Sequence, residues 1–355
     1  MKIISVVGAR PQFIKLAPLS REIRKHHREL ICHTGQHFDP NMSDIFFGQM
    51  GIPAPDINLG VCEGSHGEQT GRMLIAVEPV YLEEKPDLVV VFGDTNSTLA
   101  GALAASKLQI PVVHVEAGLR SGDMQMPEEQ NRIMTDHIAT HRCCPCDSAV
   151  AQLRSEGVTR NVHNTGDVMF DAFRMFSEQA RQLRAGGLLL RDFPDGTFDL
   201  LTIHRPSNTD CPEVLAAIMA ALQQSGRRIL FPAHPRTRKK IEEFGIRTAD
   251  SIQLTEPLGY LETLLLIGSA RRVITDSGGM QKEALFAGTH CVTLRDTTEW
   301  SETLTGGWNT LVMKAPGELD ASRLLSALAA PAPAGPAPHP YGDGHAAEKI
   351  AALLG

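Results

Sequence analysis

Three carboxylates stand close together in the sequence, at places where α/β proteins commonly bind and transform ligands. LVVVFGDTNST and IPVVHVEAGLR each contain an aliphatic run that predicts a buried parallel strand, and these strands end in Asp94 and Glu116. MPEEQNR then predicts a helix that begins at Pro127 and carries Glu128 in its first turn. Because ligands bind beyond the carboxyl ends of parallel strands, we expect Asp94 and Glu116 to face one cavity, with Glu128 close to it. Closely spaced carboxylates raise one another's pKa values, which makes them typical proton donors and acceptors.

Each acid taken alone also has a structural explanation. Asp94 can make a turn, Glu116 can end a strand in a salt bridge, and Glu128 can cap a helix. The grouping of all three within one strand, helix and strand unit favours a proton-transfer site over three separate structural roles.

Polar residues also follow the predicted strands of the second half of the chain. Each of three predicted strands is followed by two polar residues. These are His204 and Arg205 in DLLTIHRPSN, His234 and Arg236 in RRILFPAHPRT, and Asp276 and Ser277 in RRVITDSGG. In TDSGGMQKEA, Gly278 and Gly279 allow backbone amides to approach a phosphate, and Glu283 can accept hydrogen bonds from a ribose diol. The alternative for the two glycines is an ordinary turn between strand and helix. The second half therefore offers cations, histidines and a Ser-Gly-Gly turn to a ligand that is anionic at one end.

The first predicted strand, KIISVV, leads into a weaker phosphate-type turn. In GARPQFIK, Gly8 permits a tight turn, Pro11 pre-sets the first helical φ, and the exposed amides of the helix start can receive a phosphate. Arg10 and Lys15 would add positive charge beside those amides. The segment lacks the glycine spacings of the Walker and dinucleotide fingerprints, so taken alone it is typical of an ordinary strand-to-helix turn.

The alternation of strand and helix patterns predicts an α/β protein with two doubly wound, Rossmann-like domains that face a central cleft. A chain of 355 residues is long enough for two such cores. We expect an N-terminal domain over residues 1–167 and a C-terminal domain over residues 168–342, with a final helix over 343–355 that packs back on the first domain. The segment NMSDIFFGQMG predicts an amphipathic helix in the first domain.

Composition argues against several classes of protein. A net charge of −7 with only two Trp and three Tyr predicts no binding of nucleic acid, since HPRTRKK is the main basic stretch. No apolar run approaches the roughly 20 residues of a membrane span, and MKIISVV enters a strand instead of a signal peptide. The seven cysteines lack the spacing of a disulfide framework, so we expect a cytoplasmic protein. CCPC at 143–146 has no second Cys/His pair nearby, which favours structural cysteines over a metal site.

The motifs of the chain stand in the order of one enzyme family. They are GARPQFIK, GQH, GDTNST, HVEAGLR, PEEQNR, HRPSN, HPRT and TDSGGMQKEA. With them the chain closely resembles the non-hydrolysing UDP-N-acetylglucosamine 2-epimerases, which share the two-domain fold of the B-type glycosyltransferases. The resemblance runs from residue 1 to about 315 and again through YGDGHAAEKI. It implies an isomerase of polysaccharide biosynthesis that binds a UDP-sugar, forms a homodimer, and needs no cofactor and no metal.

By this resemblance, UDP lies mainly on the second domain. Ser277, Gly278 and Gly279 would hold phosphate, and Glu283 would hold the ribose. The residues implied for the diphosphate region are His204, Arg10 and His234, and Arg205 is a further residue implied for binding of the UDP-sugar.

The resemblance also implies the chemistry at the sugar. The residues that match the catalytic positions are Asp94, Glu116, Glu128 and His204, with Lys15 close by. The implied reaction breaks the bond from C1 to UDP and removes the C2 proton to give a 2-acetamidoglucal. UDP then re-adds while C2 receives a proton on its other face. The residues leave open which acid is the base.

Several positions bear on the substrate and on regulation. HRPSN has Ser207 where the family often has a glutamate. HFDPNMSDIFF, GDTNSTLAGALAASKL and RDTTEWSET look most like a branch that acts on UDP-2,3-diacetamido-2,3-dideoxyglucuronate, which is the alternative substrate. In members regulated by a second UDP-N-acetylglucosamine, the effector lies near residues equivalent to Gln36, His37, Gln69 and Arg72.

Three other functions are compatible with parts of this pattern. A glycosyltransferase of the same fold would use an acceptor cleft and would not exchange the C2 proton. A hydrolysing epimerase would release free N-acetylmannosamine, and such enzymes usually carry a fused kinase domain that we do not expect at this length. A catalytically silent UDP-sugar-binding regulator would bind tightly without turnover. The intact set of Asp94, Glu116 and Glu128 argues against the silent regulator.

Overall fold

Two parallel β-sheets organise the part of the chain that the computed structural model describes, which is residues 1–36, 51–186 and 193–355. Each sheet belongs to one of two compact units. Unit 1 comprises Met1–Arg174 and Pro340–Gly355, and unit 2 comprises Met175–His339. Strands and helices alternate along the chain in both units, so the predicted α/β fold class is confirmed. The predicted helix over NMSDIFFGQMG lies outside the described residues.

The sheet of unit 1 has a switch point between its first and fourth strands. Its strands are β1 (Lys2–Val7), β2 (Arg28–His33), β3 (Ile57–Asn58), β4 (Leu88–Phe92), β5 (Val112–Val115), β6 (His141–Cys144) and β7 (Val162–Asn164). They pair in the order β3-β2-β1-β4-β5-β6-β7, and each pairing is parallel. The direction of winding reverses between β1 and β4, and ligands bind beyond the carboxyl ends of strands at such a point. All of β4 is buried, as expected for an aliphatic strand covered on both faces.

Helices connect these strands and begin where the sequence supplies start signals. They are α1 (Arg10–Ile23), α2 (His66–Glu84), α3 (Asn96–Lys107), α4 (Pro127–Ile138), α5 (Asp147–Ser155) and α6 (Val168–Gly186). The hydroxyl of Thr95 accepts a hydrogen bond from the amide of Thr98 and thereby caps α3. Pro127 is the first residue of α4, because its fixed φ suits a helix start.

Unit 2 repeats the winding of unit 1. Its parallel sheet contains β8 (Asp199–Thr202), β9 (Ile229–Pro232), β10 (Ile252–Thr255), β11 (Arg272–Thr275), β12 (His290–Thr293) and β13 (Asn309–Leu311). Its helices are α7 (Pro206–Thr209), α8 (Pro212–Gln224), α9 (Pro235–Glu243), α10 (Tyr260–Ser269), α11 (Gly278–Ala287) and α12 (Ala321–Ala329), with a 3-10 helix at Ser301–Gly307 and a small antiparallel pair, β14 (Met313–Ala315) and β15 (Glu318–Leu319). The strand order β10-β9-β8-β11-β12-β13 places the second switch point between β8 and β11. Across the described ranges, no helix is both long enough and apolar enough to cross a membrane.

The end of the chain returns to unit 1 as α13 (Ala346–Leu353), which contacts α1. The carboxylate of Asp171 accepts hydrogen bonds from the amides of Ala346 at 3.0 Å and Ala347 at 2.6 Å. These amides belong to the first turn of α13 and have no partner inside the helix. Asp171 therefore caps the final helix and ties it to α6.

The CCPC segment forms the end of β6 and the turn after it. Cys143, Cys144 and Cys146 are buried and free. Burial raises the pKa of Cys143 to about 12 and also raises the pKa of Cys144. The two thiols are therefore protonated and unreactive at neutral pH.

Candidate active site

Asp94 follows β4 and is held by two residues of α4. Gly93, which links β4 to Asp94, has a φ of 61° and turns the chain away from the strand. Nη2 of Arg132 donates a hydrogen bond to Oδ2 of Asp94 at 2.5 Å. Nδ2 of Asn131 donates to the main-chain oxygen of Asp94 at 3.0 Å. Both the carboxylate and the backbone of Asp94 are thus fixed by one helix.

Glu116 follows β5 and forms a buried ion pair with Lys15 of α1. Nζ of Lys15 lies 2.5 Å from Oε1 of Glu116, and the two side chains are 9% and 6% exposed. Glu116 has a φ of 71°, a left-handed conformation that non-glycine residues adopt uncommonly. A Cβ at Gly93 would lie 3.0 Å from Nζ of Lys15 and 3.4 Å from Oε1 of Glu116. The turn that carries Asp94 therefore lies directly against the Lys15–Glu116 pair.

Glu128 and Glu129, adjacent in the first turn of α4, have different environments. Glu128 is partly exposed, and in the described ranges no cation is paired with its carboxylate. Glu129 is buried and accepts hydrogen bonds from the amides of Ser121 at 2.9 Å and Gly122 at 2.8 Å, and from Nη1 of Arg132 at 2.8 Å. Burial by itself raises the pKa of Glu129, but these donors outweigh it and leave the pKa below its ordinary value. Glu129 therefore anchors the loop before α4, while Glu128 is available to a ligand.

The start of α1 is arranged differently from the expected phosphate site. Oε1 of Gln12 accepts hydrogen bonds from the amides of Gly8 at 2.7 Å and Ala9 at 3.0 Å. The same side chain donates through Nε2 to the main-chain oxygen of Phe92 at 2.8 Å. These two amides, which precede the first residue of α1, are therefore occupied by the protein and are not available to a phosphate. Arg10, the first residue of α1, remains partly exposed.

His204 and Asp276 contact each other across the switch point of unit 2, between the ends of β8 and β11. His204 lies after β8 and Asp276 lies directly after β11. Nδ1 of His204 is 2.9 Å from Oδ1 of Asp276, and Oδ2 of Asp276 also accepts from the amide of Arg205 at 2.9 Å and from Nδ2 of Asn208 at 3.0 Å. Burial raises the pKa of Asp276, but His204 and the other donors outweigh it and hold that pKa below its usual range. Asp276 thus fixes an exposed imidazole by one ring nitrogen.

The Ser-Gly-Gly turn starts α11, as the sequence predicts. Ser277 is the residue before the helix, and Gly278 and Gly279 are its first two residues. A Cβ at Gly278 would lie 2.7 Å from Oε1 of Glu299 and 3.1 Å from Nε1 of Trp300, so the RDTTEW segment packs against this turn. At Gly279 a Cβ would meet no atom within 4 Å. The three residues of this turn are partly exposed. The amide of Ser277 donates to Oγ1 of Thr275 at 3.0 Å, so the amides of Gly278 and Gly279 are the ones that suit an anionic group.

The other predicted UDP-binding residues lie on the same edge of the unit 2 sheet. Glu283 is buried in α11, and Arg205 precedes α7. His234 precedes α9, and its Nδ1 accepts a hydrogen bond from the amide of Arg236 at 3.3 Å. His234 therefore has a helix-capping role in addition to any ligand contact.

The candidate allosteric residues divide into two groups. Oε1 of Gln36 accepts a hydrogen bond from Oγ of Ser97 at 2.7 Å, and Oε1 of Gln69 accepts from Nδ2 of Asn96 at 2.8 Å. Both glutamines therefore contact the first turn of α3, which follows Asp94 in the chain. Arg72 is instead exposed and paired with Glu68 on the surface of α2. His37 lies outside the described residues.

Sequence reasoning did not assign three residues that hold the site: Gln12, Arg132 and Asp276. Gln12 is the third residue of α1, a position from which Gln commonly reaches back to the backbone before the helix. Arg132 stands three residues after Glu129, which places the two on one helix face. These two signals were readable in the sequence. The contact of Asp276 with His204 was not, because it joins strands that are far apart in the chain.

Two doubly wound parallel sheets, with polar groups gathered at each switch point, define an α/β protein of the nucleotide-binding type. Comparison with known proteins gives the family. A family profile described as UDP-N-acetylglucosamine 2-epimerase matches residues 21–355. The chain belongs to this family, and its members are isomerases, so the predicted family and enzyme class are confirmed.

Individual relatives are similar over most of their length. The chain is 50% identical over 316 residues to a UDP-N-acetylglucosamine 2-epimerase homolog of Methanococcus maripaludis, and 49% identical over 320 residues to the UDP-2,3-diacetamido-2,3-dideoxy-D-glucuronate 2-epimerase of Pseudomonas aeruginosa. Each match covers 88% of both chains. The crystal structure of Methanocaldococcus jannaschii UDP-GlcNAc 2-epimerase in complex with UDP-GlcNAc and UDP is 40% identical, with a TM-score of 0.90 over 100% of this chain and 99% of that one. The glycosyltransferase VinC, 15% identical with a TM-score of 0.54, shares the fold.

Proposed function

We propose that the chain inverts C2 of a UDP-linked 2-acetamido sugar and interconverts UDP-N-acetylglucosamine and UDP-N-acetylmannosamine. The observation that carries this proposal is the arrangement of Asp94 and the Lys15–Glu116 pair around Gly93. Inversion at C2 needs charged groups held in fixed positions beside the sugar, and the ends of two adjacent buried strands, β4 and β5, supply them. The solved relative that contains UDP-GlcNAc and UDP supports the choice of substrate.

In this proposal, unit 2 stabilises the departing UDP. The bond from C1 to the β-phosphate oxygen breaks, and its electron pair leaves with UDP. The amides of Gly278 and Gly279 and the hydroxyl of Ser277 stabilise the negative charge that grows on the diphosphate, and Glu283 binds the ribose. Further contacts to the diphosphate are assigned to Arg10, His204, Arg205 and His234.

The carboxylates of unit 1 carry out the proton transfers at C2. Loss of UDP leaves positive charge at C1, which acidifies the C2 proton. A carboxylate takes this proton, and the electron pair of the C2–H bond forms the double bond of a 2-acetamidoglucal. A proton then returns to the opposite face of C2 while UDP re-adds at C1. Each atom and electron pair is thereby accounted for without net oxidation.

Of these carboxylates, we assign the proton exchange to Glu128, which takes the proton from one face of C2 and returns one to the other face after the 2-acetamidoglucal has turned. Asp94 and Glu116 have an orienting and electrostatic role. Asp94 is bound to Arg132, and Glu116 is bound to Lys15. Loss or gain of a proton by either would disrupt a buried or partly buried ion pair. Glu128 carries no such ion pair within the described residues and is partly exposed. It can therefore change protonation without this cost.

UDP-2,3-diacetamido-2,3-dideoxyglucuronate is the second candidate substrate. The Pseudomonas aeruginosa relative named for it is 49% identical to this chain, whereas the Methanocaldococcus jannaschii and Escherichia coli relatives named UDP-N-acetylglucosamine 2-epimerase are 43% and 34% identical. Both candidates use the same C2 chemistry, because both carry an acetamido group at C2 and UDP at C1. They differ at C3 and C6, whose own bonds are neither made nor broken in the reaction.

Proton NMR in deuterium oxide tests the function and distinguishes the two substrates. Purified protein is incubated with UDP-N-acetylglucosamine and, separately, with the diacetamido-glucuronate analogue. We expect deuterium at C2 and a new manno signal with UDP-N-acetylglucosamine. The same change with the analogue alone would identify the second candidate. No exchange with either sugar would contradict an epimerase function and favour a transferase or a silent UDP-sugar-binding regulator.

We also propose that the protein acts as a homodimer. Ile75 and Leu82 lie on one side of α2, seven residues apart, and are 75% and 56% exposed. Apolar side chains exposed in a row on a helix favour burial against a second copy. The surface of α2 is therefore the proposed contact.

The proposal also includes a cytoplasmic role in polysaccharide biosynthesis and regulation by a second UDP-sugar. Cys32, Cys143, Cys144 and Cys291 are buried free thiols, which suits the reducing cytoplasm. A UDP-N-acetylmannosamine-type product suits a role in polysaccharide biosynthesis. A second UDP-sugar bound near Gln36 and Gln69 would act on Asp94 through the first turn of α3. A sigmoidal rate dependence on UDP-N-acetylglucosamine, abolished by Gln69→Ala, would support this regulation; a hyperbolic dependence would contradict it.

A further inference from the structure

A buried histidine on β5 connects the turn before Asp94 to a buried carboxylate on α4. Nε2 of His114 lies 2.7 Å from the main-chain oxygen of Gly93, and Nδ1 lies 2.7 Å from Oδ1 of Asp136. The side chains of His114 and Asp136 are both 0% exposed. His114 therefore contacts the one residue that separates β4 from Asp94.

The second carboxylate oxygen of Asp136 binds the loop that follows Glu116. Oδ2 accepts hydrogen bonds from the amide of Gly118 at 3.1 Å and from Nη1 of Arg120 at 2.7 Å. Gly118 lies in the loop that begins at Glu116. One carboxylate thus holds both the turn that precedes Asp94 and the loop that follows Glu116.

The hydrogen-bond partners fix the orientation of His114. The oxygen of Gly93 can only accept, so Nε2 carries a proton and donates it. Burial raises the pKa of Asp136, but His114 and Arg120 outweigh it and leave that pKa below its ordinary value. The imidazole is thus held through both ring nitrogens, between Gly93 and Asp136.

Charged groups surround this pair on every side. Arg120 also binds Glu156 through two hydrogen bonds of 2.8 and 2.7 Å, and Nε of Arg142 donates to the main-chain oxygen of Asp136 at 2.6 Å. The Lys15–Glu116 pair lies next to Gly93 on its other side. The buried charges of Asp136 and Arg120 are thus compensated within one network that also contains His114.

We propose that His114 and Asp136 are positioning residues of the enzyme, with His114 holding the turn of Asp94 and Asp136 holding both His114 and the loop after Glu116. This inference rests on the proposed roles of Asp94 and Glu116. The pair does not touch substrate and acts by keeping the two acids at a fixed separation. A displacement of about 1 Å in such a geometry lowers the rate on the order of 100-fold.

Two substitutions of His114 separate its two hydrogen bonds. The amide of His114→Asn occupies the place of Nδ1 and keeps the contact with Asp136, but it does not reach Gly93. The amide of His114→Gln reaches the place of Nε2 and keeps a donor to Gly93. We expect His114→Asn to lower kcat on the order of 30-fold with KM changed less than about threefold, and His114→Gln to recover to within about fivefold of wild type. Equal kcat losses in the two variants, or no loss in His114→Asn, would overturn the proposal.

Asp136→Asn tests the carboxylate against a matched control. We expect it to lower kcat on the order of 30-fold while the dissociation constant for UDP stays within about twofold. The control is Asp199→Asn in unit 2, which also removes a fully buried carboxylate that is paired with arginine. We expect this control to lower the thermal midpoint without changing kcat. A loss of thermal midpoint in Asp136→Asn with unchanged kcat would show a purely structural role.

Nitrogen-15 NMR of protein labelled at histidine tests the hydrogen bond to Gly93 directly. We expect a protected ring N–H signal that is present in wild type at neutral pH and absent from His114→Gln. A wild-type spectrum without a protected ring N–H signal would overturn this hydrogen bond.

Variants of Asp94 and Glu116 distinguish a failure of the positioning role from a failure of the proposed function. If Asp94→Asn and Glu116→Gln abolish turnover while His114→Asn and Asp136→Asn do not affect it, the positioning role alone is wrong. If Asp94→Asn and Glu116→Gln retain turnover, the proposed site itself is wrong.

Discussion

Nζ of Lys15 and Oε1 of Glu116 form an ion pair that joins α1 to the end of β5, and both side chains are buried. Removing one partner of such a pair leaves a charge without compensation in a low-dielectric site. We predict that Lys15→Met lowers the free energy of unfolding by about 3 kcal/mol, and that adding Glu116→Gln restores most of it. Urea denaturation followed by circular dichroism measures both effects.

The exposed pair of Lys2 and Glu84 provides the control for this prediction. Its side chains are 28% and 31% exposed, so Lys2→Met should change the free energy of unfolding by less than about 1 kcal/mol. A Lys15→Met effect no larger than this control would contradict a strongly coupled buried pair.

The three acids should matter for turnover and not for nucleotide affinity. We predict that Asp94→Asn, Glu116→Gln and Glu128→Gln each lower kcat on the order of 100-fold or more. UDP affinity, measured by isothermal titration calorimetry, should stay near the wild-type value, because UDP is assigned to unit 2. Glu283→Ala should show the opposite pattern, with weaker UDP binding. Unchanged turnover in all three acid variants would remove the proposed site.

The stabilising effect of Asp276 should depend on pH. Its folded-state pKa lies below the ordinary value of 3.8, so the carboxylate stabilises the fold above that pH. The contribution is lost as pH falls from 3.8 through the lower folded-state value. We predict that Asp276→Asn is less stable than wild type at neutral pH and that the difference shrinks below about pH 4. Urea unfolding at several pH values measures it.

Asp250, an exposed aspartate of the same unit, gives the comparison for this titration. Asp250→Asn should differ little from wild type at any pH. A stability deficit of Asp276→Asn that stays constant from neutral pH to pH 3 would show that loss of the charge is not the cause.

The two glycines at the start of α11 should tolerate a methyl group differently. At Gly278 a Cβ would lie 2.7 Å from Oε1 of Glu299, which is itself 2.7 Å from Arg295 through its other oxygen. We predict that Gly278→Ala destabilises unit 2 by about 1–3 kcal/mol, because Glu299 must move. Gly279→Ala should be neutral or stabilising by up to about 1 kcal/mol, since its Cβ would meet no atom within 4 Å. Equal thermal midpoints of the two variants would contradict the predicted contact.

The proposed dimer contact on α2 makes a concentration-dependent prediction. Ile75→Glu places a charge in the exposed apolar row and should shift the protein from dimer to monomer. Sedimentation velocity over a range of protein concentrations measures this shift. Glu78→Gln, a change at an exposed position of the same helix that adds no charge, should leave the dimer intact. A wild-type protein that is monomeric throughout would show that the dimer proposal is wrong.

Much of the architecture was predictable because local patterns carry it. The aliphatic run of β4 and the helix start at Pro127 are strong signals within a few residues, and the structure confirms both. Other elements lacked such signals. β3 has only two residues, and β6 begins with His141 and Arg142, so neither contains an apolar run that predicts a strand. The helix α10 was also not predicted, although its residues are mostly apolar.

The sequence alone determined the fold class, the family and the set of candidate acids, because strand ends and motif residues are local features. The tertiary structure decided which group each acid contacts. Asp94 is bound to Arg132 of α4, and Glu116 is bound to Lys15 of α1. These partners meet because the parallel sheet places β1 beside β4 and β4 beside β5. No local pattern encodes such neighbours, since hydrogen bonding between distant strands sets their register.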